Sequence, residues 1–478
     1  MSRVTTNLFE GNVSDVSFDA AVPTLNPTEL GGGAGNLAFS TGPMSRPQVH
    51  RNKTVILSNG DKWLAGGRVS DITWGPHQST SFQAETALQR LNVTTSIKPS
   101  YLVTETAAMN AALASAGFTA QGLATAGTVI FPGWAGTLLD YIKHFCNAFK
   151  KEYYVAGDNA DVLVFRSLRA NTSDSSRDGE QYWVNDQAVA QSVEIIQYAY
   201  TAPTTSYDNI EFMPAGEDDP QIISINAGET VVNDIRINGW VASLNQPIVT
   251  LGVGPEARTD TGAYQVLGSN GLPVAPNEWT AQGGSLTASL TDDPSVIRVS
   301  ITAPDALEIS GSDGDTRFSP YSIAVGYGDV TEPALHITGK GVRFKATTHR
   351  VLTGVKESIS SEPVGATIDN PFVSTEEMAW DVGLRGAQFY SGAKQGMTFS
   401  MPDSAPIEDV LGALVPGGTT NYRVDTVSYT GSQYSVSCTG LSTFEDFDSV
   451  WDSATFGDFD SAWPGASVEY FDVMPLVK

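Results

Sequence analysis

The amino-acid sequence predicts a mainly β protein with α+β modules. Short runs rich in Val, Ile, Thr and aromatic residues recur along most of the 478 residues, a composition that suits strands on a pleated, half-buried surface. Gly, Asn and Asp clusters separate these runs at short intervals, as in antiparallel sheets joined by tight turns. Helical signals are confined to a few stretches. The length is enough for roughly two to four domains, and a hydrophobic content of 41% can supply their cores.

Residues 1–99 form the first β region, with strand candidates Val13–Phe18, Leu37–Thr41, Thr54–Leu57, Arg68–Trp74 and Thr80–Thr94. Turn signals at Gly31–Gly35, Ser58-Asn-Gly60 and Gly66-Gly67 fit an antiparallel barrel or sandwich. Residues 100–190 form a small helix-plus-hairpin domain. A helix is predicted at Glu105–Ala116. From Thr128 to Leu168, a strand at Val129–Phe131 meets Pro132-Gly133, and Leu138, Ile142, Phe145, Phe149 and Tyr153 then line one helical face. Two apolar runs around Gly157-Asp158-Asn159 close this unit as a hairpin.

Residues 191–345 are β again, with strand candidates Val193–Tyr200, Ile222–Ile225, Val231–Ile237, Ile248–Val253, Ser285–Leu290, Ser295–Ile301 and Tyr321–Val325. Their rhythm fits a β-sandwich inserted at the start of a second barrel. Residues 346–440 continue that barrel and hold a helix. Ser374 is placed to cap it, with Glu377 reaching back and Val373 stapled to Met378. Strands at Tyr422–Tyr429 and Tyr434–Cys438 follow.

Residues 441–478 form an acidic, aromatic C-terminal segment of net charge −7. Phe444-Glu-Asp-Phe-Asp-Ser-Val-Trp451 returns twelve residues later as Phe456-Gly-Asp-Phe-Asp-Ser-Ala-Trp463. Alternating acids and aromatics make a poor core but a good docking peptide. Phe447, Trp451, Phe459 and Trp463 are the expected anchors. Lys340, Arg343, Lys345 and Arg350 cluster in a chain with only 27 bases; Arg343 and Lys345 share a strand face, and the group is a candidate acceptor for acidic segments of a neighbouring subunit.

Few chemical signals are present. The net charge of −26 argues against a nucleic-acid-binding protein with a broad basic surface. His50, His77, His144, His336 and His349 lack metal-ligand spacing, and no GxSxG elbow occurs. Gly33-Ala-Gly35-Asn-Leu-Ala38 follows no strand and reads as a turn rather than a dinucleotide fingerprint. Asp158-Asn-Ala-Asp161 and Asp313-Gly-Asp315 lack the full calcium-loop pattern. Cys146 and Cys438 read as buried free thiols. No catalytic residue, cofactor or metal is expected. Neither a secretory signal nor an apolar run long enough to span a membrane is visible.

The module order resembles that of baseplate hub, or tail-associated, proteins at the tail tips of long-tailed bacteriophages (siphophages). The unit FPGWAGTLLDYIKHFCNAFKKEYYVAGDNADVLVFRSL resembles the family's helix-plus-hairpin module. Ile368–Val373, the following helix and Asn421–Thr430 resemble the closing part of the hub, and residues 210–335 look like an insertion. The two repeats resemble the acidic, Trp-ending repeats of minor tail proteins in phages of actinobacteria. The resemblance implies two tube-like antiparallel β-barrels per chain and a homotrimer whose ring, of near-sixfold shape, continues the tail tube. It implies contacts with the distal tail protein, the tape measure protein and other minor tail proteins or fibres. The expected place is the virion tail tip, after synthesis in the host bacterial cytoplasm. The expected roles are host attachment and DNA ejection, with DNA passing through the channel and not specifically bound. Three rival readings are a receptor- or glycan-binding tail adhesin, a wall-degrading enzyme and a distal tail ring protein.

Overall fold

The structure, a computed structural model, describes residues 4–6, 9–21, 33–43, 51–59, 62–73, 79–155, 161–168, 177–185, 190, 192–205, 208–215, 221–250, 278–308, 316–317, 319–325, 333–352, 365–390, 394–402, 407–417, 420–429 and 433–440. It is mainly β.

The first six strands are β1 (Val4–Thr6), β2 (Phe9–Ala21), β3 (Gly33–Pro43), β4 (Thr54–Asn59), β5 (Lys62–Thr73) and β6 (Ser79–Thr86). All their pairings are antiparallel. The path β1-β4-β5-β6-β3-β2 returns to β1, which pairs with both β2 and β4. Such closure removes open sheet edges. Register shifts in β2–β3, β4–β5 and β5–β6 bend the strands around the ring.

Three sequence expectations change here. Gly66-Gly67 is not a turn but lies inside β5, where a Cβ on Gly67 would sit 2.8 Å from the Glu85 carbonyl oxygen. That glycine serves the close approach of two strands. Gly33–Ala38 is likewise the start of β3 rather than a turn. The run Thr80–Thr94 is not one strand: β6 stops at Thr86, and α1 (Ala87–Leu91) intervenes. The Thr86 hydroxyl accepts from the Gln89 N–H (3.5 Å), while Gln89 Oε1 accepts from the Thr86 N–H (3.0 Å). This reciprocal cap starts a helix within an otherwise strand-like sequence.

Next come β7 (Thr94–Ile97), β8 (Ser100–Val103), α2 (Glu105–Leu113), β9 (Thr119–Gln121), β10 (Val129–Phe131), β11 (Trp134–Thr137), α3 (Leu138–Ala148), β12 (Lys151–Val155) and β13 (Val162–Ser167). The Thr104 hydroxyl caps α2 by accepting from the Ala107 N–H, and the Thr137 hydroxyl caps α3 by accepting from the Asp140 N–H. Leu138, Ile142 and Phe145 are fully buried on one α3 face, as the spacing predicts. The helix ends earlier than that spacing suggests: Phe149 is the C-cap, Lys150 has a φ of +50°, and Tyr153 belongs to β12. β12 and β13 pair antiparallel, Tyr153 opposite Phe165, and β9 adds to β13 in parallel.

The later elements are β14 (Asp178–Asn185), β15 (Ser192–Thr201), β16 (Ile210–Phe212), β17 (Ile222–Ile225), β18 (Thr230–Arg236), β19 (Gly239–Leu244), β20 (Ile248–Thr250), α4 (Glu278–Ala281), β21 (Ser285–Leu290), β22 (Val296–Thr302), β23 (Leu307–Glu308), β24 (Thr316–Arg317), β25 (Tyr321–Val325), β26 (Ala334–Leu352) and β27 (Gly365–Asp369). The last described elements are α5 (Glu376–Tyr390), β28 (Lys394–Pro402), α6 (Ile407–Val410), β29 (Leu414–Gly417), β30 (Thr420–Tyr429) and β31 (Gln433–Gly440). β30 pairs with β2, so the sheet containing the first strands continues through β30-β31-β28-β14. A second sheet is ordered β17-β25-β26-β15-β27, with β16, β19 and β20 also on β26. The separate sheet β18-β22-β21 shares one apolar core with part of it, around Trp279, Ile297, Val299 and Ile323.

The cap of α5 is one residue later than the sequence suggests. Thr375 Oγ1 accepts from the Met378 N–H at 3.2 Å, whereas the Ser374 hydroxyl sits against Met378 Sδ. Val373 and Val382 are buried. α5 packs on β15 and β26 where Gly383 has no side chain; a Cβ there would come within 2.5 Å of Ile195 and 2.7 Å of Val351.

Candidate assembly site

The helix-plus-hairpin unit supplies the core on which the second sheet is seated. Phe145 of α3 meets Phe131, Phe149, Phe165 and Phe372 at ring-centroid distances of 5.3, 4.8, 5.8 and 5.6 Å. Phe372 arrives from the far side of the chain, at the end of the stretch Ile368–Val373. It also touches Tyr141 at 5.0 Å and is 2% exposed. Asn370 fixes the approach: its amide donates to the His144 carbonyl oxygen at 2.9 Å, and its Oδ1 accepts from the Phe372 N–H at 3.0 Å.

β26 carries the basic cluster. Strand alternation gives its two faces different tasks. On one face, Phe344 joins Tyr198, Tyr200 and Trp240, with Phe344–Trp240 at 4.7 Å and Phe344–Tyr198 at 5.0 Å. The Tyr198 hydroxyl donates to Asp369 Oδ1 at 2.6 Å, and the Tyr200 hydroxyl donates to the Pro371 carbonyl. Burial pushes both phenols well above their usual range, so they stay protonated donors. Trp240 in turn needs Gly133, where a Cβ would fall 2.7 Å from the indole ring.

On the other face, Arg343 is half-buried opposite Thr201 and Gly239, and Lys345 is exposed opposite Ala199. Thus the predicted pair shares a face. Lys340 lies on the same strand in register with Ser243, but alternation places it on the opposite face. Arg350 is exposed opposite Glu194. The anchors Phe447, Trp451, Phe459 and Trp463 lie outside the described residues.

Other charged groups hold modules together. Asp161 accepts from Arg68 at 2.9 Å and from Arg90 at 2.5 Å, tying the hairpin to β5 and α1. Burial opposes ionisation, yet the two guanidiniums hold its carboxyl below the usual range. Glu152 is buried against Arg166, which also reaches the Leu411 carbonyl oxygen at 3.3 Å. Burial raises the Glu152 carboxyl despite Arg166 and Arg423. His336 bonds Glu211 at 2.6 Å and His349 bonds Gln197 at 2.6 Å. His144 is held neutral by burial, against Asp140 and Asp369.

Cys146 and Cys438 are buried and free, with burial raising both thiols. Such thiols are poor nucleophiles at neutral pH. Among the described residues, no group of three or more His, Cys, Asp or Glu side chains is placed to hold a metal ion, and no helix is long and apolar enough to cross a membrane. His50, His77, Asp313 and Asp315 lie outside those residues. Sequence reasoning missed β14, whose Tyr182 and Val184 are 54% and 65% exposed. Its Tyr-Trp-Val run was the available signal.

No protein-family model and no curated protein matches the chain. Solved structures similar to it include the 43 kDa tail protein of prophage MuSo2 from Shewanella oneidensis, at 9% identity and a TM-score of 0.39 over 92% of this chain and 98% of that one. Prophage tail protein gp18 from Listeria monocytogenes EGD-e is 7% identical, with a TM-score of 0.36 over 94% and 98%. A tail protein from Neisseria meningitidis MC58 is 9% identical, with a TM-score of 0.37 over 91% and 96%.

Proposed function

We propose that this chain is a structural protein of a bacteriophage tail, and that it forms the trimeric hub at the tail tip. One observation carries the reading. The stretch whose residues bear the resemblance contains α3 and the paired strands β12 and β13, and its core receives Phe372 from the second resembling stretch. A shared core between these two stretches is what a hub with its modules fixed around a channel requires. On this reading three copies close a ring that continues the tail tube, bind the distal tail and tape measure proteins, and pass DNA without holding it. The acidic balance of −26 suits a DNA-passing channel. The chain acts without catalysis, cofactor or metal.

Native mass spectrometry of tail tips released from particles tests this. The expected species has three times the 50.7 kDa chain mass. A sixfold assembly would instead assign the chain to the distal ring.

A further inference from the structure

Among the described residues, β26 is paired along both edges in its first half and along only one edge in its second. β15 covers one edge from Arg343 to Leu352. On the other edge, β20 covers Ala334–His336 and β19 covers Gly339–Arg343. The last bond on that side runs from the Phe344 N–H to the Asn238 carbonyl oxygen, at 3.1 Å. Antiparallel alternation then turns the N–H and C=O groups of Ala346, Thr348 and Arg350 to the same side. Among the described residues, nothing pairs with them there. Lys345, Ala346, Thr347 and Thr348 are all exposed, so both faces of the strand are open at these four residues, before α5 covers one face at His349 and Val351.

An open, straight strand edge is a template for another strand. Its chemistry here selects the occupant. Among the described residues, Arg343, Lys345 and Arg350 make no ion pair, although the chain carries 53 acids. Pairing this edge with the same edge of a second copy would bring like charges together, which is destabilising. An acidic strand is complementary. The C-terminal repeats supply one with matching period: Asp446 and Asp448 are two residues apart, as are Arg343 and Lys345, and Asp458 and Asp460 repeat the spacing.

We propose that the free edge of β26 at residues 345–350 accepts, by strand addition, the acidic aromatic repeat of this chain, Phe444–Trp451 or its copy Phe456–Trp463. In the added strand, Asp446 and Asp448 lie on the face of Arg343 and Lys345. Phe447 and Trp451 fall on the opposite face. There the small side chains of Ala346 and Thr348 leave room beside half-buried Ile196 and Tyr198, their cross-strand neighbours on β15. The backbone groups give affinity and the alternating side chains give register. This goes beyond the tail reading: it concerns the purified chain, so its failure leaves copy number and position in the particle untouched.

Hydrogen exchange on the full-length protein tests it, in four forms: wild type, R343E/K345E, D446K/D448K/D458K/D460K, and the combination. The expected result is that the Ala346, Thr348 and Arg350 amides exchange at least about tenfold more slowly in the wild type than in either charge-reversed form. The combination restores the slow exchange. Protection of α5 serves as the folding control, and the tail variant decides the matter if R343E/K345E disturbs α5. Equal exchange of these amides in the wild type and the tail variant overturns the proposal. So does protection that survives the tail variant and grows with protein concentration, which would give the edge to a second copy.

Discussion

Phe372→Ala removes the ring that fastens residues 368–373 to the helix-plus-hairpin core. The side chain is 2% exposed and touches four aromatic rings, at 5.0 Å (Tyr141), 5.3 Å (Phe131), 5.6 Å (Phe145) and 6.3 Å (Phe149). Those rings sit on α3, its C-cap and β10, whose backbones are fixed by their own hydrogen bonds, so the hole cannot close. A Phe→Ala change in such a site costs about 3–5 kcal/mol, and poor relaxation favours the upper half of that range. At about 2–4 °C per kcal/mol for a cooperative unit of roughly 150–250 residues, the melting transition should fall by about 8–20 °C. Phe372→Leu keeps most of the volume and should cost roughly 1–2 kcal/mol. Calorimetry gives the shift, and hydrogen exchange of the α3 amides shows where stability is lost. A loss below about 1 kcal/mol, or unchanged α3 protection, would refute the claim that this ring joins the two parts.

Three further outcomes follow from the same geometry. Thr375→Ala should cost about 0.5–2 kcal/mol and Ser374→Ala less than about 0.5 kcal/mol; equal costs in denaturant titrations would return the cap to Ser374. Asp161→Asn should flatten the acid limb of the stability curve. The folded carboxyl titrates below its unfolded value, so its contribution is complete above the unfolded range near pH 4 and is lost as pH falls through the folded value; an acid limb unchanged by the substitution would contradict this. Gly122→Ala should cost more than about 1 kcal/mol, because a residue at φ +77° gains a Cβ only 2.0 Å from the Phe165 carbonyl oxygen; a melt within error of wild type would contradict it.

Strands whose two faces differ were legible in the sequence. Ile222–Ile225 and Ser285–Leu290 have the predicted bounds because alternation and flanking turns agree; Tyr321–Val325 also has them, as a short apolar run buried along most of its length. The helix α3 and the pairing of β12 with β13 were legible because a hydrophobic face and a hairpin signal coincide there; the Thr137 cap and β11 were not. β14 and the outer half of β26 were not, since both are exposed on both faces and lack any apolar alternation. Glycines misled where they serve strand contact, as at Gly67. The pairing of β2 with β30 joins residues some four hundred positions apart, and no local pattern encodes it. Of the candidate site, the sequence showed the charges of Arg343 and Lys345 and their common face. It did not show that, among the described residues, the edge beside them is left unpaired, which depends on where β19 stops.

Cryo-electron microscopy of the intact particle tests the central claim most directly, because it shows both where the chain sits and how many copies are present. The account predicts three copies closing a ring around the channel at the distal end of the tail tube, with the helix-plus-hairpin units fixed between the β modules. Six equivalent copies in that ring, or density confined to peripheral fibres, would contradict it.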